Sequence, residues 1–235
     1  MKKHIPNLIT SMNALCGTAA IISATIYGDI RLASLLIICA MIFDFFDGMS
    51  ARLLNVKSDI GKELDSLADV ISFGIAPAIL AFILLGNEID AGQYSGMFYD
   101  IIKFLPLIIA PFSAYRLAKF NLDSRQTTSF IGMPTPANAL FWIGLVALSF
   151  MNPTLYASIF GNIWILSSCI IITSLLLVSE IPMFSLKISN FSWKDNRVRY
   201  IYLLTLIVLL FTLGFSAISL IIPLYIIYSL VFRKN

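Results

Sequence analysis

Four aspartates stand out because they fall inside stretches that are otherwise apolar. Asp44 and Asp47 lie in the second long apolar stretch of the chain, and Asp65 and Asp69 lie at the start of the third. A charged side chain within hydrocarbon costs about 2.5–3.5 kcal/mol on insertion scales, so an intramembrane acidic cluster predicts a functional site. The alternative is a set of interfacial salt bridges with neighbouring lysines and arginines, which accounts poorly for four acids in two matched pairs.

Helical spacing brings each pair of acids onto one face. At about 100° per residue, Asp44 and Asp47 are about 60° apart around their helix, and Asp65 and Asp69 are about 40° apart around theirs. Small residues such as Gly48 fill the rest of these faces. A polar segment between the two helices lets the chain reverse, so the two acidic faces are expected to meet.

Carboxylates brought together in this way repel one another unless cations neutralise them. Carboxylate oxygens suit Mg²⁺ or Mn²⁺ far better than they suit soft metals. A pair of such ions is a recurring device of phosphoryl chemistry. The residues therefore predict a divalent-metal site suited to a phosphate-containing substrate.

The composition indicates where these acids lie. The chain has 235 residues, of which 59% are hydrophobic and 12% charged, and its mean hydropathy is +0.89. A soluble domain has roughly 45–50% apolar and about 25% charged residues. These values exclude a soluble globular domain, a disulfide scaffold and a disordered chain, and they indicate an integral membrane protein.

Apolar stretches of about 20 residues predict all-α architecture with eight membrane spans. The predicted spans cover residues 8–27, 32–54, 64–85, 101–118, 137–151 and 155–178, followed by a helical hairpin of two spans within residues 200–232. With both termini in the cytoplasm, every lysine and arginine except Arg31 and Lys103 falls on the cytoplasmic side. This distribution agrees with the positive-inside rule and supports the count of eight.

The depth of the acids separates an enzyme from an ion-coupled carrier. Residues 32–43 precede Asp44 in the second span, so Asp44 lies about 18 Å along that helix, past the middle of a core about 30 Å thick. The acids are therefore expected in the cytosolic third of the membrane. A carrier site lies closer to the midplane, on broken helices within repeats, which disfavours the carrier.

The spacing of the acids also resembles a known signature. At every fixed position, the signature of the CDP-alcohol phosphotransferase family matches Asp44-x-x-Asp47-Gly48-x-x-Ala51-Arg52, eight further residues, and Gly61-x-x-x-Asp65-x-x-x-Asp69. This resemblance implies an integral membrane enzyme whose six-helix core corresponds to residues 8–178. The last two helices are an addition to that core.

The same resemblance implies roles for individual residues. The four aspartates would hold two divalent ions, Mg²⁺ or Mn²⁺, and Asp69 would also deprotonate the attacking hydroxyl as a general base. Gly48 and Ala51 would leave space for the CDP-linked lipid, and Arg52 would contact its phosphate. Weaker candidates for binding this lipid are three polar residues: Asn7, Thr10 and Ser58.

Two further parts of the chain resemble the phosphatidylserine synthase branch of the family. They are Pro6-Asn7-Leu8-Ile9-Thr10 with Asn13-Ala14-Leu15-Cys16-Gly17, and Arg116-Leu117-Ala118-Lys119-Phe120-Asn121 with Phe130-Ile131-Gly132-Met133-Pro134-Thr135-Pro136-Ala137. The likeness implies transfer of a phosphatidyl group from CDP-diacylglycerol to L-serine, with Arg116 binding the serine carboxylate at two points. Glycerol 3-phosphate and an inositol phosphate remain alternative acceptors, because Arg116, Lys119 and Arg125 could supply the cations that bind a phosphate.

The chain is expected to form one membrane unit with two parts. Residues 1–180 would be the catalytic domain, and residues 181–235 a cytoplasmic loop followed by the additional hairpin. The resemblance further implies a homodimer in the cytoplasmic membrane, with the active site facing the cytoplasm. No motif in the sequence indicates a nucleic-acid partner.

Overall fold

The computed structural model describes residues 4–56, 58–123, 130–183 and 193–231, which are almost entirely helical. The helices are α1 His4–Thr25, α2 Ile30–Leu53, α3 Asp59–Asp69, α4 Ala76–Ala91, α5 Met97–Ile102, α6 Ile109–Leu122, α7 Thr135–Met151, α8 Pro153–Phe160, α9 Ile163–Val178, α10 Trp193–Leu213 and α11 Ile218–Val231. A π-helical turn, Val70–Ile75, joins α3 to α4, and 3₁₀ turns at Leu105–Ile108 and Gly214–Ala217 precede α6 and α11. Two-residue strands, β1 Phe130–Ile131 and β2 Pro182–Met183, pair antiparallel.

Helices long and apolar enough to cross a membrane correspond to the first four predicted spans. They are His4–Thr25, Ile30–Leu53, Asp59–Ala91 and Met97–Leu122. Thr135–Met151 and Ile218–Ser229 are shorter apolar helices. The described part of the chain is therefore that of a multi-pass membrane protein, while the count of eight and the side on which each terminus lies stay predictions.

Helices α1 and α2 form an antiparallel hairpin. Asp29 ends the connection between them and caps α2, because its carboxylate accepts hydrogen bonds from the backbone nitrogens of Arg31 and Leu32. The buried face of α1 carries small or polar residues, among them Gly17 and Ala20. Such residues let helix backbones approach closely in a membrane, where packing rather than the hydrophobic effect holds helices together.

The third predicted span, residues 64–85, extends further at both ends in the structure. Ser58 caps its start, since the Ser58 hydroxyl accepts a hydrogen bond from the backbone nitrogen of Gly61 at 3.3 Å. The helix continues to Ala91 through the π-helical turn. Turns of this kind concentrate at functional sites in proteins, and this one begins directly after Asp69.

The sixth predicted span, residues 155–178, is not one straight helix. It divides into α8 and α9, whose axes meet at 78°. The bend has a local cause, because Gly161 ends α8 and Asn162 caps α9 by accepting a hydrogen bond from the backbone nitrogen of Trp164 at 2.8 Å. Of the two helices, α9, Ile163–Val178, is the longer.

The predicted C-terminal hairpin has the expected reversal. Gly214 adopts a φ of +58°, in the left-handed region that glycine occupies without steric cost, and α11 runs back along α10. The Tyr202 hydroxyl donates to the carbonyl oxygen of Ile221 at 3.1 Å, and the Thr205 and Tyr228 hydroxyls lie 3.0 Å apart. The hairpin thus has polar contacts within its own interface.

The tightest packing lies around α4 and α7. The side chains of Leu80, Leu85, Trp142 and Leu145 are fully buried there. Helix α11 crosses α7 closely, since a Cβ built on Gly144 would lie 2.6 Å from the Cα of Ser219. The most buried large side chains thus lie on α4 and α7, whereas the acids lie on α2 and α3.

Candidate active site at the acid cluster

A cavity of about 390 Å³ opens between α1, α2 and α3 at the level of the acids. Its wall includes Asp47 and Gly48 of α2, Asp65 of α3, and Asn7 and Thr10 of α1. Ligand sites in proteins have volumes of about 300–1,000 Å³ and carry a few convergent polar groups. We call this cavity, with Asp44, the triad cleft.

Three of the four aspartates form a compact group in the triad cleft. Asp44, Asp47 and Asp65 each place a carboxylate oxygen within 4.8 Å of the other two. Oδ1 of Asp65 is buried and has no hydrogen-bond partner among the described residues. Oxygen atoms grouped at this distance are the ligand set that a hard divalent cation prefers, so these three residues could hold a metal ion.

Helix α1 holds one member of this group in place. The Thr10 hydroxyl donates a hydrogen bond to Oδ2 of Asp47 at 2.6 Å. Both side chains are buried, which strengthens such a bond relative to one in water. Thr10, predicted as a ligand of the lipid donor, therefore also orients a carboxylate of the cluster.

The fourth aspartate, Asp69, is not a member of the 4.8 Å group and has different neighbours. Asp69 is 8% exposed, close to the 6% of Asp47, and Nδ2 of Asn13 donates a hydrogen bond to its Oδ1 at 3.2 Å. Arg116 of α6 is 7% exposed and interacts electrostatically with Asp69. Nε of Arg116 has no hydrogen-bond partner among the described residues, and its guanidinium carbon lies 5.2 Å from the Phe120 ring centroid. We call Asp69, Asn13 and Arg116 the Asp69 niche.

The small residues of the signature border open space. A Cβ built on Gly48 would meet no atom within 4 Å, and Ala51 lies in the cavity wall one helical turn away. Ser58 and Asn7 are also in the wall. Arg52 is exposed and is not part of the wall, so its predicted contact with phosphate stays a prediction.

The cations near α6 are held by specific partners. Nζ of Lys62 donates to the carbonyl oxygen of Asn121 at 2.9 Å, and Nδ2 of Asn121 donates to Ser66 at 2.7 Å, which ties α3 to α6. Nζ of Lys119 lies 3.1 Å from Oε1 of Glu180. Arg125, the remaining cation proposed for a phosphorylated acceptor, lies outside the described residues.

Two residues at the site were not predicted as functional. Asn13 reaches Asp69 across 56 residues of sequence, and the Ser72 hydroxyl donates to the carbonyl oxygen of Asn13 at 3.0 Å. The available signal was the position of Asn13 three residues after Thr10 on α1, which places both on one face. Its partner could not be inferred, because the rotation of α3 against α1 is not encoded in local spacing.

Comparison with known proteins places this geometry in context. The sequence profile of the CDP-alcohol phosphatidyltransferase family matches residues 3–179. The CDP-diacylglycerol–serine O-phosphatidyltransferase of Bacillus subtilis (strain 168) is 43% identical over 155 residues, covering 66% of this chain and 80% of the relative. The enzyme of that name from Helicobacter pylori (strain ATCC 700392 / 26695) is 33% identical over 229 residues, covering 96% of this chain and 89% of the relative. A third CDP-diacylglycerol–serine O-phosphatidyltransferase, from Mycobacterium bovis (strain ATCC BAA-935 / AF2122/97), is 33% identical over 191 residues, covering 76% of this chain and 60% of the relative.

Proposed function

The chain belongs to the CDP-alcohol phosphatidyltransferase family, and from that premise we propose that it transfers the phosphatidyl group of CDP-diacylglycerol to the hydroxyl of L-serine. The products are phosphatidylserine and CMP. The names of its relatives from Bacillus subtilis and Helicobacter pylori support this assignment. The observation that supports it most directly is a three-aspartate group in a cleft, with a fourth, buried aspartate one helical turn from Asp65 that interacts with a buried arginine.

The reaction exchanges one P–O bond for another. The serine hydroxyl oxygen attacks the phosphorus that carries diacylglycerol, and the bond from that phosphorus to the bridging oxygen breaks. CMP leaves with the bonding electron pair. Asp69 accepts the hydroxyl proton as general base, a role that its hydrogen bond from Asn13 favours by fixing one carboxylate oxygen.

The donor set of the triad cleft fits hard divalent cations, since it consists of grouped carboxylate oxygens, one of them buried and unpartnered. Asp44, Asp47 and Asp65, together with Asp69, would hold two such ions, Mg²⁺ or Mn²⁺. When bound, the ions would neutralise the diphosphate and the charge on departing CMP. Gly48 and Ala51 leave room for the CDP-linked lipid, and Asn7, Thr10, Ser58 and Arg52 are the candidates for binding its polar part.

The surroundings of α6 favour serine over a phosphorylated acceptor. Arg116 is buried and interacts with Asp69, and a guanidinium can bind a carboxylate through two parallel hydrogen bonds. Lys119 is already paired with Glu180, so its charge is partly neutralised. An acceptor with a single carboxylate and an ammonium group needs fewer cations than glycerol 3-phosphate or an inositol phosphate.

The remaining assignments concern the setting of the enzyme. We propose eight spans with both termini in the cytoplasm, a homodimer, and a cytoplasmic membrane location with the triad cleft open to the cytosol. Residues 1–180 would carry the catalysis, and residues 181–235 would add a loop and the hairpin of α10 and α11. Close packing of α11 on α7 supports treating the hairpin as part of the same membrane unit.

The test is release of CMP from CDP-diacylglycerol by protein purified in detergent with Mn²⁺ or Mg²⁺. L-serine, glycerol 3-phosphate and no acceptor are compared in the wild type and in Asp69→Asn. We expect release that depends on serine and that EDTA or Asp69→Asn abolishes. Release with glycerol 3-phosphate alone would retain the family and refute serine. Folded protein with no acceptor-dependent release would instead direct attention to other alcohols and then to a carrier.

A further inference from the structure

Asn13 occupies a fully enclosed position beside the proposed general base. Its side chain is 0% exposed and lies on the buried face of α1, one helical turn deeper than Thr10, which borders the triad cleft. Amide side chains are costly to bury unless their hydrogen bonds are made. Any hydrogen-bonding atom of Asn13 that has no partner therefore indicates a place for a polar group of a ligand.

The chemistry of Asp69 decides how the amide is oriented. An ionised carboxylate only accepts hydrogen bonds, so the amide must present Nδ2 to Asp69, as the 3.2 Å contact has it. Oδ1 of Asn13 must then point elsewhere, and it is buried with no hydrogen-bond partner among the described residues. The niche therefore contains an unpartnered hydrogen-bond acceptor, Oδ1 of Asn13, on the same amide group that donates to the proposed general base.

The backbone of Asn13 is held firmly in this position. The Ser72 hydroxyl donates to the Asn13 carbonyl oxygen at 3.0 Å. One turn further on, α1 and the π-helical turn approach so closely that a Cβ on Gly17 would lie 2.7 Å from the Cα of Ser72. These backbone contacts fix the point at which the Asn13 side chain enters the niche.

We propose that Asn13 has two functions: Nδ2 positions the Asp69 carboxylate, and Oδ1 accepts a hydrogen bond from the ammonium group of the amino-acid acceptor. This proposal rests on the proposed function. In serine the ammonium group is on the carbon next to the hydroxymethyl group, so a hydroxyl at Asp69 brings the ammonium within reach of the neighbouring amide. Arg116, which also interacts with Asp69 and whose Nε has no hydrogen-bond partner among the described residues, remains for the carboxylate. A charge-assisted hydrogen bond of this kind is about twice as strong as one between neutral groups.

The experiment compares acceptors that lack one group each. CMP release is measured with L-serine, with ethanolamine, which lacks the carboxylate of serine, and with 3-hydroxypropionate, which lacks the ammonium. For an acceptor that reacts too slowly, the inhibition constant against serine is measured instead. In Asn13→Leu, which keeps the volume and removes both polar ends, we expect kcat/KM for serine and for ethanolamine to fall by about 10- to 100-fold more than for 3-hydroxypropionate. In Asn13→Asp, which keeps an acceptor oxygen but loses the donor to Asp69, we expect kcat to fall while the preference for ammonium-bearing acceptors is retained.

Matched controls separate this role from a general structural one. Ser72→Ala removes the hydrogen bond to the Asn13 backbone but leaves the amide, so it should affect all three acceptors by the same factor. Equilibrium binding of CDP-diacylglycerol reports folding of the cleft in each variant, and Asn13→Ala replaces Asn13→Leu if the latter does not fold. An equal loss for all three acceptors in the Asn13 variants would refute ammonium binding. Wild-type protein that ignores serine but uses another alcohol would refute the proposed function itself.

Discussion

The triad cleft and the Asp69 niche share α1 and α3, but α2 completes the cleft and α6 completes the niche, and the acids have different partners in the two regions. In the triad cleft, three carboxylates converge on an open cavity, and Lys62 in its wall donates its ammonium to the carbonyl oxygen of Asn121. In the Asp69 niche, one carboxylate, about as buried as Asp47, receives an amide hydrogen bond and interacts with a buried guanidinium. The difference indicates a division of labour in which the triad cleft binds cations and diphosphate, while the niche handles one proton and the acceptor.

The largest effect should follow from removing one acid of the triad cleft. In Asp65→Asn we expect activity to fall by about 10⁴-fold, because bound metal contributes several kcal/mol and each 1.36 kcal/mol is a factor of ten. Mn²⁺ binding, measured by electron paramagnetic resonance, should be lost as well. Without metal, the thermal midpoint of this variant should be no lower than that of the metal-free wild type, because the substitution removes repulsion among like charges. Full Mn²⁺ binding in this variant would contradict the metal role of the triad cleft.

Removing the acid of the niche should separate chemistry from metal binding. For Asp69→Asn we expect a loss of about 10³-fold in kcat, within the range for general base catalysis. The variant should still bind one Mn²⁺ at the triad cleft, and it should still bind CDP-diacylglycerol. If Asp69→Asn and Asp65→Asn lost all metal binding equally, the two regions would be one site and the comparison would fail.

Two glycine substitutions test the two regions by packing alone. A Cβ on Gly17 would lie 2.3 Å from Oγ of Ser72, so Gly17→Ala should cost about 1–3 kcal/mol of stability by overpacking. It should lower the thermal midpoint in detergent and, by moving Asn13, lower kcat.

Gly48 faces open space, so Gly48→Ala should leave the midpoint unchanged and raise KM for CDP-diacylglycerol by about tenfold, equivalent to 1.4 kcal/mol. A lower midpoint in Gly48→Ala would contradict the assignment of that space to substrate.

The smallest effect is expected at the ion pair beside the niche. Lys119 and Glu180 are both partly exposed, and exposed pairs contribute about 0–1 kcal/mol. Lys119→Met and Glu180→Gln should therefore change kcat/KM for serine by no more than about twofold. Loss of serine transfer in Lys119→Met, with normal folding, would show that the acceptor site extends beyond Arg116.

Much of the triad cleft could be predicted from sequence, because spacing along a helix determines which side chains share a face. Asp44 and Asp47 were placed correctly on one side of α2, and Asp65 was placed opposite them. The different partners of Asp69 could not be predicted. Its hydrogen bond from Asn13 is a contact between helices distant in sequence, which local spacing does not encode.

The fold was predictable to a similar degree. Long apolar stretches identified the first four spans, because length and hydropathy suffice for them. The bend between α8 and α9 was missed although Gly161 and Asn162 are ordinary helix-ending and helix-capping residues. Average hydropathy does not register such a break, since one glycine and one asparagine barely change the mean over residues 155–178.

The π-helical turn after Asp69 has a consequence for how one helix can serve two neighbours. A regular α-helix keeps one phase along its whole length, so a face that meets the acids of α2 would keep the same direction further along. One extra residue in a wide turn advances the phase by about 100°. The helix can thus direct Asp65 towards α2 below the turn while directing Leu80 and Leu85 into the bundle core above it. Deleting a single residue between Val70 and Ile75 would leave all remaining side chains chemically unchanged. It would nevertheless rotate one half of the span relative to the other, so that either the acids or the core residues would face the wrong direction.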